Sequence, residues 1–117
     1  MDKNLMIGAA DLGWKPTVGQ VVKDLEVVLG FKLSQTPSAE DMFLGGDDSA
    51  RAWLTWEPDD REPFESHPFV LDIATSQPEV AYVTALFDRL ADLGRYRVIL
   101  LIDHACFRST HFPCDQW

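Results

Sequence analysis

The stretch that most constrains the fold of this chain is Phe69 to Ile102, FVLDIATSQPEVAYVTALFDRLADLGRYRVILLI. Phe69, Leu71 and Ile73 share one side of a strand by the two-residue alternation of extended backbone. Ser76-Gln77-Pro78-Glu79 has capping-box spacing, and proline is tolerated in a first helical turn. Val83, Leu86, Phe87, Leu90 and Leu93 then recur at the three- and four-residue steps of a single helix face. Gly94 stops that helix. Val98 to Ile102 is apolar at every step, which predicts a strand covered on both sides. The two strands are either parallel neighbours or are separated by another strand, as in a split arrangement.

The rest of the chain supplies more of the same elements. Asn4 to Ala10 is apolar enough for a first strand. Thr17-Val18-Gly19-Gln20 is a second capping-box spacing, and Val18, Val21, Val22, Leu25, Val28 and Leu29 form one helix face. Gly30 is placed to end that helix as a left-handed cap. Phe31 to Thr36 alternates like a half-buried strand. Asp41 to Leu44 and Ala50 to Trp56 read as a hairpin around Gly45-Gly46-Asp47-Asp48. In its second strand Ala50, Ala52, Leu54 and Trp56 face inward, opposite Arg51, Trp53 and Thr55. Glu57 to Pro68 (EPDDREPFESHP) is an acidic loop that reads as too polar to pack and too proline-rich for a helix. The tail from Asp103 reads as irregular. A chain of 117 residues forms one domain, 1–117. The expected class is α+β: two helices packed on one face of a mostly antiparallel sheet of about five to six strands. A ferredoxin-like layout with an inserted hairpin, or a related βαβββ-βαβ sandwich, fits the order.

Charge narrows the function. The chain carries −9, and the window from Glu40 to Glu65 holds nine carboxylates against Arg51 and Arg61, a net of −7. Such a field repels nucleic-acid phosphates and anionic membranes and attracts basic partners. No apolar run approaches the roughly 20 residues of a membrane span. The first residues lack the long apolar core of a secretory signal, so the expected location is the cytoplasm.

Chemistry-bearing residues cluster once, in the tail: Asp103, His104, Cys106, His111 and Cys114. Thiolates and imidazoles suit zinc, although the spacing is not that of a finger or ribbon. A Cys106–Cys114 disulfide and two inert reduced thiols are the competing readings, and the reduced thiols are the expectation. Asp103 and His104 follow a central strand, where ligands bind in open α/β sheets. Asp59, Asp60, Glu62, Glu65 and His67 are oxygen and nitrogen donors without calcium-loop spacing, and are expected as charged surface. Asp72 lies opposite Phe69, Leu71 and Ile73 and is expected to meet solvent. No nucleophile–base pair and no cofactor-binding motif is visible.

Val22 to Thr36 (VKDLEVVLGFKLSQT) followed by FLGGDDSARAWLTW, in strand–helix–three-strand order, resembles one module of the glyoxalase/bleomycin-resistance superfamily. The resemblance covers less than half of the chain, and Leu29-Gly30-Phe31 is its most specific step. It implies a small-molecule-binding or metal-dependent domain with ligands in the first and last strands of each module. The first strand here has no His, Gln or Glu and the last has no Glu, so His67 alone falls near such a position.

The leading expectation is a non-catalytic, acidic protein-binding module, without cofactor or metal. It would mask a basic partner, such as a toxin or nucleic-acid-binding enzyme, in the manner of an immunity protein, antitoxin or inhibitor. Its binding residues would be Arg51, Trp53, Glu57, Asp59, Asp60, Glu62 and Glu65, with Trp53 as an aromatic anchor ringed by carboxylates.

Overall fold

The computed structural model describes residues 2–37 and 39–116. The elements run β1 (Lys3–Ala9), α1 (Val18–Leu29), β2 (Ser34–Thr36), β3 (Ala39–Gly46), β4 (Ala50–Trp56), β5 (Phe69–Thr75), α2 (Glu79–Asp92), β6 (Tyr96–Ile102) and β7 (Ala105–Ser109). A 3-10 turn over Cys114–Gln116 follows. Seven strands form one antiparallel sheet in the order β2-β3-β4-β5-β1-β6-β7. Two helices on a mostly antiparallel sheet is the α+β class expected, with one or two more strands than the hydropathy pattern predicts.

The extra strand is β7, in the tail expected to be irregular. It folds back on β6 through the two-residue turn Asp103-His104, and both residues have positive φ, +50° and +67°. Such a turn matches the twist of an antiparallel pair. Asp103 tolerates this conformation better than most residues, and His104 is among the enriched types.

The four inner strands carry the architecture. β1 pairs antiparallel with both β5 and β6, so β5 and β6 run the same way with β1 between them. β5 likewise separates β1 from β4. α2 therefore crosses over one intervening strand, β1, which is the split arrangement, while α1 carries the chain from β1 past β5, β4 and β3 to β2 at the edge. Spatial order β4-β5-β1-β6 is the ferredoxin-like one, with β2–β3 inserted before β4 and β7 added after β6.

Local chemistry sets the helix ends. Thr17 Oγ1 accepts from the Gln20 amide at 3.2 Å, and Gln20 Oε1 accepts from the Thr17 amide at 2.8 Å, a complete capping box. Gly30 and Gly94, at φ +83° and +71°, take up the left-handed conformation after α1 and α2. The second capping box does not form. Pro78 is the N-cap of α2 and makes no side-chain cap. Ser76 is drawn to the carbonyl of Ser49, which its amide reaches at 3.1 Å. Glu79 instead receives Lys3 Nζ at 3.0 Å, a lysine only 5% exposed.

Both helices pack on one sheet face. Leu5, Ile7, Leu54, Leu71, Val98 and Leu100 from the strands meet Val21, Leu25, Val83, Leu86 and Leu90 from the helices, all essentially buried. At roughly 1.5–3 kcal/mol for each fully buried aliphatic side chain, this layer dominates the stabilisation. A smaller cluster lies on the opposite face, where Met6, Ile99 and Leu101 are covered by Phe64, Val70 and Phe112. β6 is thus covered on both sides as its sequence predicts, by helices on one and by loop and tail on the other.

The loop reaches that second face because of a glycine. The backbone of Ser66 and His67 lies directly on Gly8, so close that a β-carbon there would fall 1.7 Å from the Ser66 carbonyl oxygen. Backbone, not a yielding side chain, occupies the space. Gly8→Ala is expected to lift the 57–68 loop from the sheet and to cost ~1–3 kcal/mol, the range for overpacked sites. Urea unfolding of the variant checks this; unchanged stability would show that the loop does not bear on β1.

Candidate functional site

The acidic loop is a folded object rather than a solvated strand of chain. Its base is closed by the Glu57 amide donating to the Pro68 carbonyl at 2.7 Å. Inside it, Glu65 and His67 amides donate to the carbonyls of Arg61 and Pro63. Both Glu62 carboxylate oxygens accept from Ser66, one from its amide and one from its hydroxyl, each at 2.8 Å. The Glu62–Pro63 peptide is cis. The expectation that this segment is too polar to pack is corrected: Phe64 packs under it, and Ser66 and Glu62 bond each other across its turn.

This internal bonding fixes where the charges stand. Glu57, Asp60, Glu62 and Glu65 are exposed and Asp59 is half-buried. Asp59 is tied to Arg61, whose side chain and amide both donate to it, the amide at 3.0 Å. The side-chain bond with Arg61, followed by the bond from its amide, holds the Asp59 carboxyl below the usual range. The side chains of Glu40 and Asp41, part of the acidic window, lie outside the described residues.

Beside the loop is a cavity of about 340 Å³. Trp14 and Leu12 from the β1–α1 connection form one wall, with Lys15 next to them. Trp56, Phe64, Asp59 and Glu65 form the other. Trp56 sits on the inward-facing side of β4, as its parity predicts, yet is 42% exposed because it lies beyond the helices' cover. Trp14 is steadied by Tyr96, ring centroids 5.6 Å apart. Tyr96 in turn donates its hydroxyl to Asp24 of α1 at 2.5 Å. Burial, then that bond to a carboxylate, raises the Tyr96 phenol above its ordinary value, so it stays a donor.

The sequence-predicted anchor stands elsewhere. Trp53 is half-buried on the helix-free face, in a row of paired positions that runs Leu44, Trp53, Asp72, Asn4, Leu101, Cys106. Trp53 and Arg51 line a second concavity with Asp47. Asp59 and Glu65 are brought to Trp14 and Trp56 and not to Trp53. Sequence reasoning missed the two outer tryptophans, because the partner wall, the β1–α1 connection, carries no motif. Asp72 is half-buried, not open to solvent as expected, and accepts a hydrogen bond from Asn4 Nδ2. Burial raises its pKa, against the effect of Asn4.

His67 was expected on a charged surface and is instead 1% exposed. Its Nδ1 bonds Ser66 Oγ at 2.7 Å, while Nε2 has no hydrogen-bond partner among the described residues. Burial pushes its pKa down to about 4; Glu62 opposes this, and Arg97 and His111 add to it. The signal for this burial was Gly8, since an isolated glycine within a strand marks close backbone approach.

The tail cluster does not assemble as a ligand set. Cys106 and Cys114 are joined as a disulfide, which corrects the expectation of two reduced thiols and removes both thiolates as metal ligands. Asp103 and His104 are the β6–β7 turn, with His104 Nε2 3.3 Å from Asp2, so they are not at an open strand end. His111 Nδ1 bonds Thr110 Oγ1 at 2.7 Å. Among the described residues no three His, Cys, Asp or Glu converge on a common point. No helix there is long and apolar enough to cross a membrane.

The chain matches no known protein family, no curated protein and no solved structure. Its resemblance to a glyoxalase/bleomycin-resistance module rests on the short segments quoted above. In the fold β4 lies beside β5, with β1 one place further in, so the N-terminal βαβββ segment does not close a sheet by itself.

Two expectations follow. A folded pKa below the ordinary 6.5 means that the unfolded chain binds the proton first. His67 therefore stabilises fully above pH 6.5, and this is lost as pH falls toward 4. Between pH about 7 and about 5 the loss should be ~2 kcal/mol, and His67→Gln should flatten it. Urea unfolding at the two pH values reads this; an equal slope in the variant would exclude His67. The disulfide spans a sequence separation of 8. Replacing it by Cys106→Ser with Cys114→Ser should cost ~2–3 kcal/mol on loop-closure grounds, measured by thermal unfolding.

Proposed function

We propose that this protein is an acidic binding module that docks a basic partner protein on its 57–68 loop and masks it. An immunity protein, antitoxin or protein inhibitor acts in this manner. One observation carries the reading. The exposed carboxylates of Glu57, Asp60 and Glu65 stand on a loop that is closed on itself, with Glu62 bonded to Ser66 inside it, and is seated on the sheet. Charges held in place lose little conformational freedom on binding, and like charges gathered on one side steer an oppositely charged partner. Arg61 is the loop's one basic side chain besides His67, and Asp59 already occupies it.

A basic toxin, or an enzyme that binds nucleic acid through a cationic cleft, presents the matching surface. Carboxylates laid across such a cleft compete with phosphates for the same lysines and arginines. The cytoplasm remains the proposed location, and the cystine bears on it, because a reducing compartment keeps such thiols apart. Alkylation of protein taken directly from its cells, followed by a free-thiol count, distinguishes the two: no free thiol would place the chain in an oxidising compartment.

The surface reading is tested with Glu57→Lys/Asp60→Lys, two exposed positions outside the tryptophan cavity. Tagged protein from its native cells should carry a stoichiometric basic partner. The double variant should bind that partner at least about tenfold more weakly at low salt with an unchanged melting temperature. Equal binding by the variant would remove the loop as the docking site.

A further inference from the structure

We infer that the cavity between Trp14 and Trp56 receives an arginine side chain of the partner. This deepens the reading above and rests on it. The cavity differs from the acidic surface in kind. It is a concave apolar site whose walls come from two distant parts of the chain, with Asp59 and Glu65 at its edge.

Three observations converge on a cation with an apolar, planar body. The first is exposed apolar surface: Leu12 is 74% and Trp56 42% exposed, and both line this one cavity. Large apolar side chains left open and gathered in a concavity mark an interaction site. The second is size. At about 340 Å³ the space lies at the lower end of ligand pockets, enough for one long side chain and too small for a cofactor of dinucleotide size. The third is charge. Two carboxylates, Asp59 and Glu65, line the cavity against one cation, Lys15, and Glu65 is exposed.

Arginine meets these conditions better than lysine. Its flat guanidinium stacks on an indole face and presents a fork of donors to a carboxylate, whereas an ammonium is a strongly hydrated point charge. Trp14 is held by Tyr96, and through it by Asp24, so this wall is in place before the ligand arrives. Lys15 stands on the same wall and opposes a cation. It is exposed, and the carboxylates of the neighbouring loop outnumber it.

The test uses the full chain and two probes, an amidated Gly-Arg-Gly-Gly tetrapeptide and an arginine nonamer. The indole N–H signals of Trp14, Trp53 and Trp56 are followed by NMR. The tetrapeptide should shift Trp14 and Trp56 and leave Trp53 in place. Replacing its arginine by citrulline, which keeps shape and removes charge, should abolish the shifts. Trp56→Ala and Glu65→Gln should each weaken binding at least about fivefold, and Lys15→Ala should tighten it. Trp56 and Glu65 are both exposed, so neither variant need disturb the fold. Equal binding of the citrulline peptide, or shifts confined to Trp53, would overturn the proposal. If the nonamer binds wild type and Trp56→Ala equally, in a salt-dependent way and without shifts at Trp14 or Trp56, the cavity is excluded while the acidic surface stands. If Glu57→Lys/Asp60→Lys leaves nonamer binding unchanged while Trp56→Ala removes it, the surface reading fails and the cavity stands.

Discussion

The rest of this structure depends on the double pairing of β1. Lys3 to Ala9 pair along β6 on one side, and Asn4 to Ile7 among them pair with β5 on the other, while β5 and β6 are not neighbours. The β2–β3–β4–β5 half and the β6–β7 half become one sheet only through this strand. The helices depend on it too, because each crosses over a strand of the same central pair. Hairpins such as β3–β4 and β6–β7 pair neighbours in sequence, but the core closes only when Leu5 finds both Leu71 and Leu100. Pairings this distant in sequence are the slow part of folding.

The same strand explains why the two sheet faces differ. One is sealed by the apolar stripes of the two helices. The other is covered piecemeal, by the acidic loop over Gly8 and Met6 and by the cystine-bound tail near Leu101. This patchwork cover leaves polar atoms under strain of another kind. His67 Nε2, Arg97 Nε and Ser109 Oγ are all buried without partners among the described residues. A buried polar atom left unpaired costs on the order of 1–3 kcal/mol. The charged loop thus rests on the face with the smaller apolar cluster, with His67 beneath it.

Most of the scaffold was legible in the residues. Thr17 and Gln20 announced a helix start that forms as a complete capping box, and the alternation of Ala50, Ala52 and Leu54 announced the buried side of β4. Ser76 and Glu79 had the same spacing and failed, because Ser49 and Lys3 offered them better partners from elsewhere in the chain. The tail misled for a similar reason. Asp103-His104 looked like the exposed end of a strand, and only the conformation of the two residues shows a hairpin turn. The cystine could not be read from spacing, since the approach of Cys106 and Cys114 is created by that turn. At the candidate site the acidic half was visible as composition. The aromatic half was not, because Trp14 and Trp56 are 42 positions apart in numbering and meet only when β1 and β4 are placed in one sheet.

The margins of the sheet have a consequence for how any partner is met. At one edge β2 is three residues long and its pairing with β3 slips at Gln35/Thr36; at the other, β7 has five residues and its register slips at Leu100/Leu101. Short, irregular edges offer no continuous ladder of free amides and carbonyls to a further strand. Extending the sheet by backbone pairing, a common route by which proteins capture extended peptides, is thereby discouraged at both ends. The docking proposed above would then run through side chains, with the charge and shape of the partner counting for more than its readiness to become a strand.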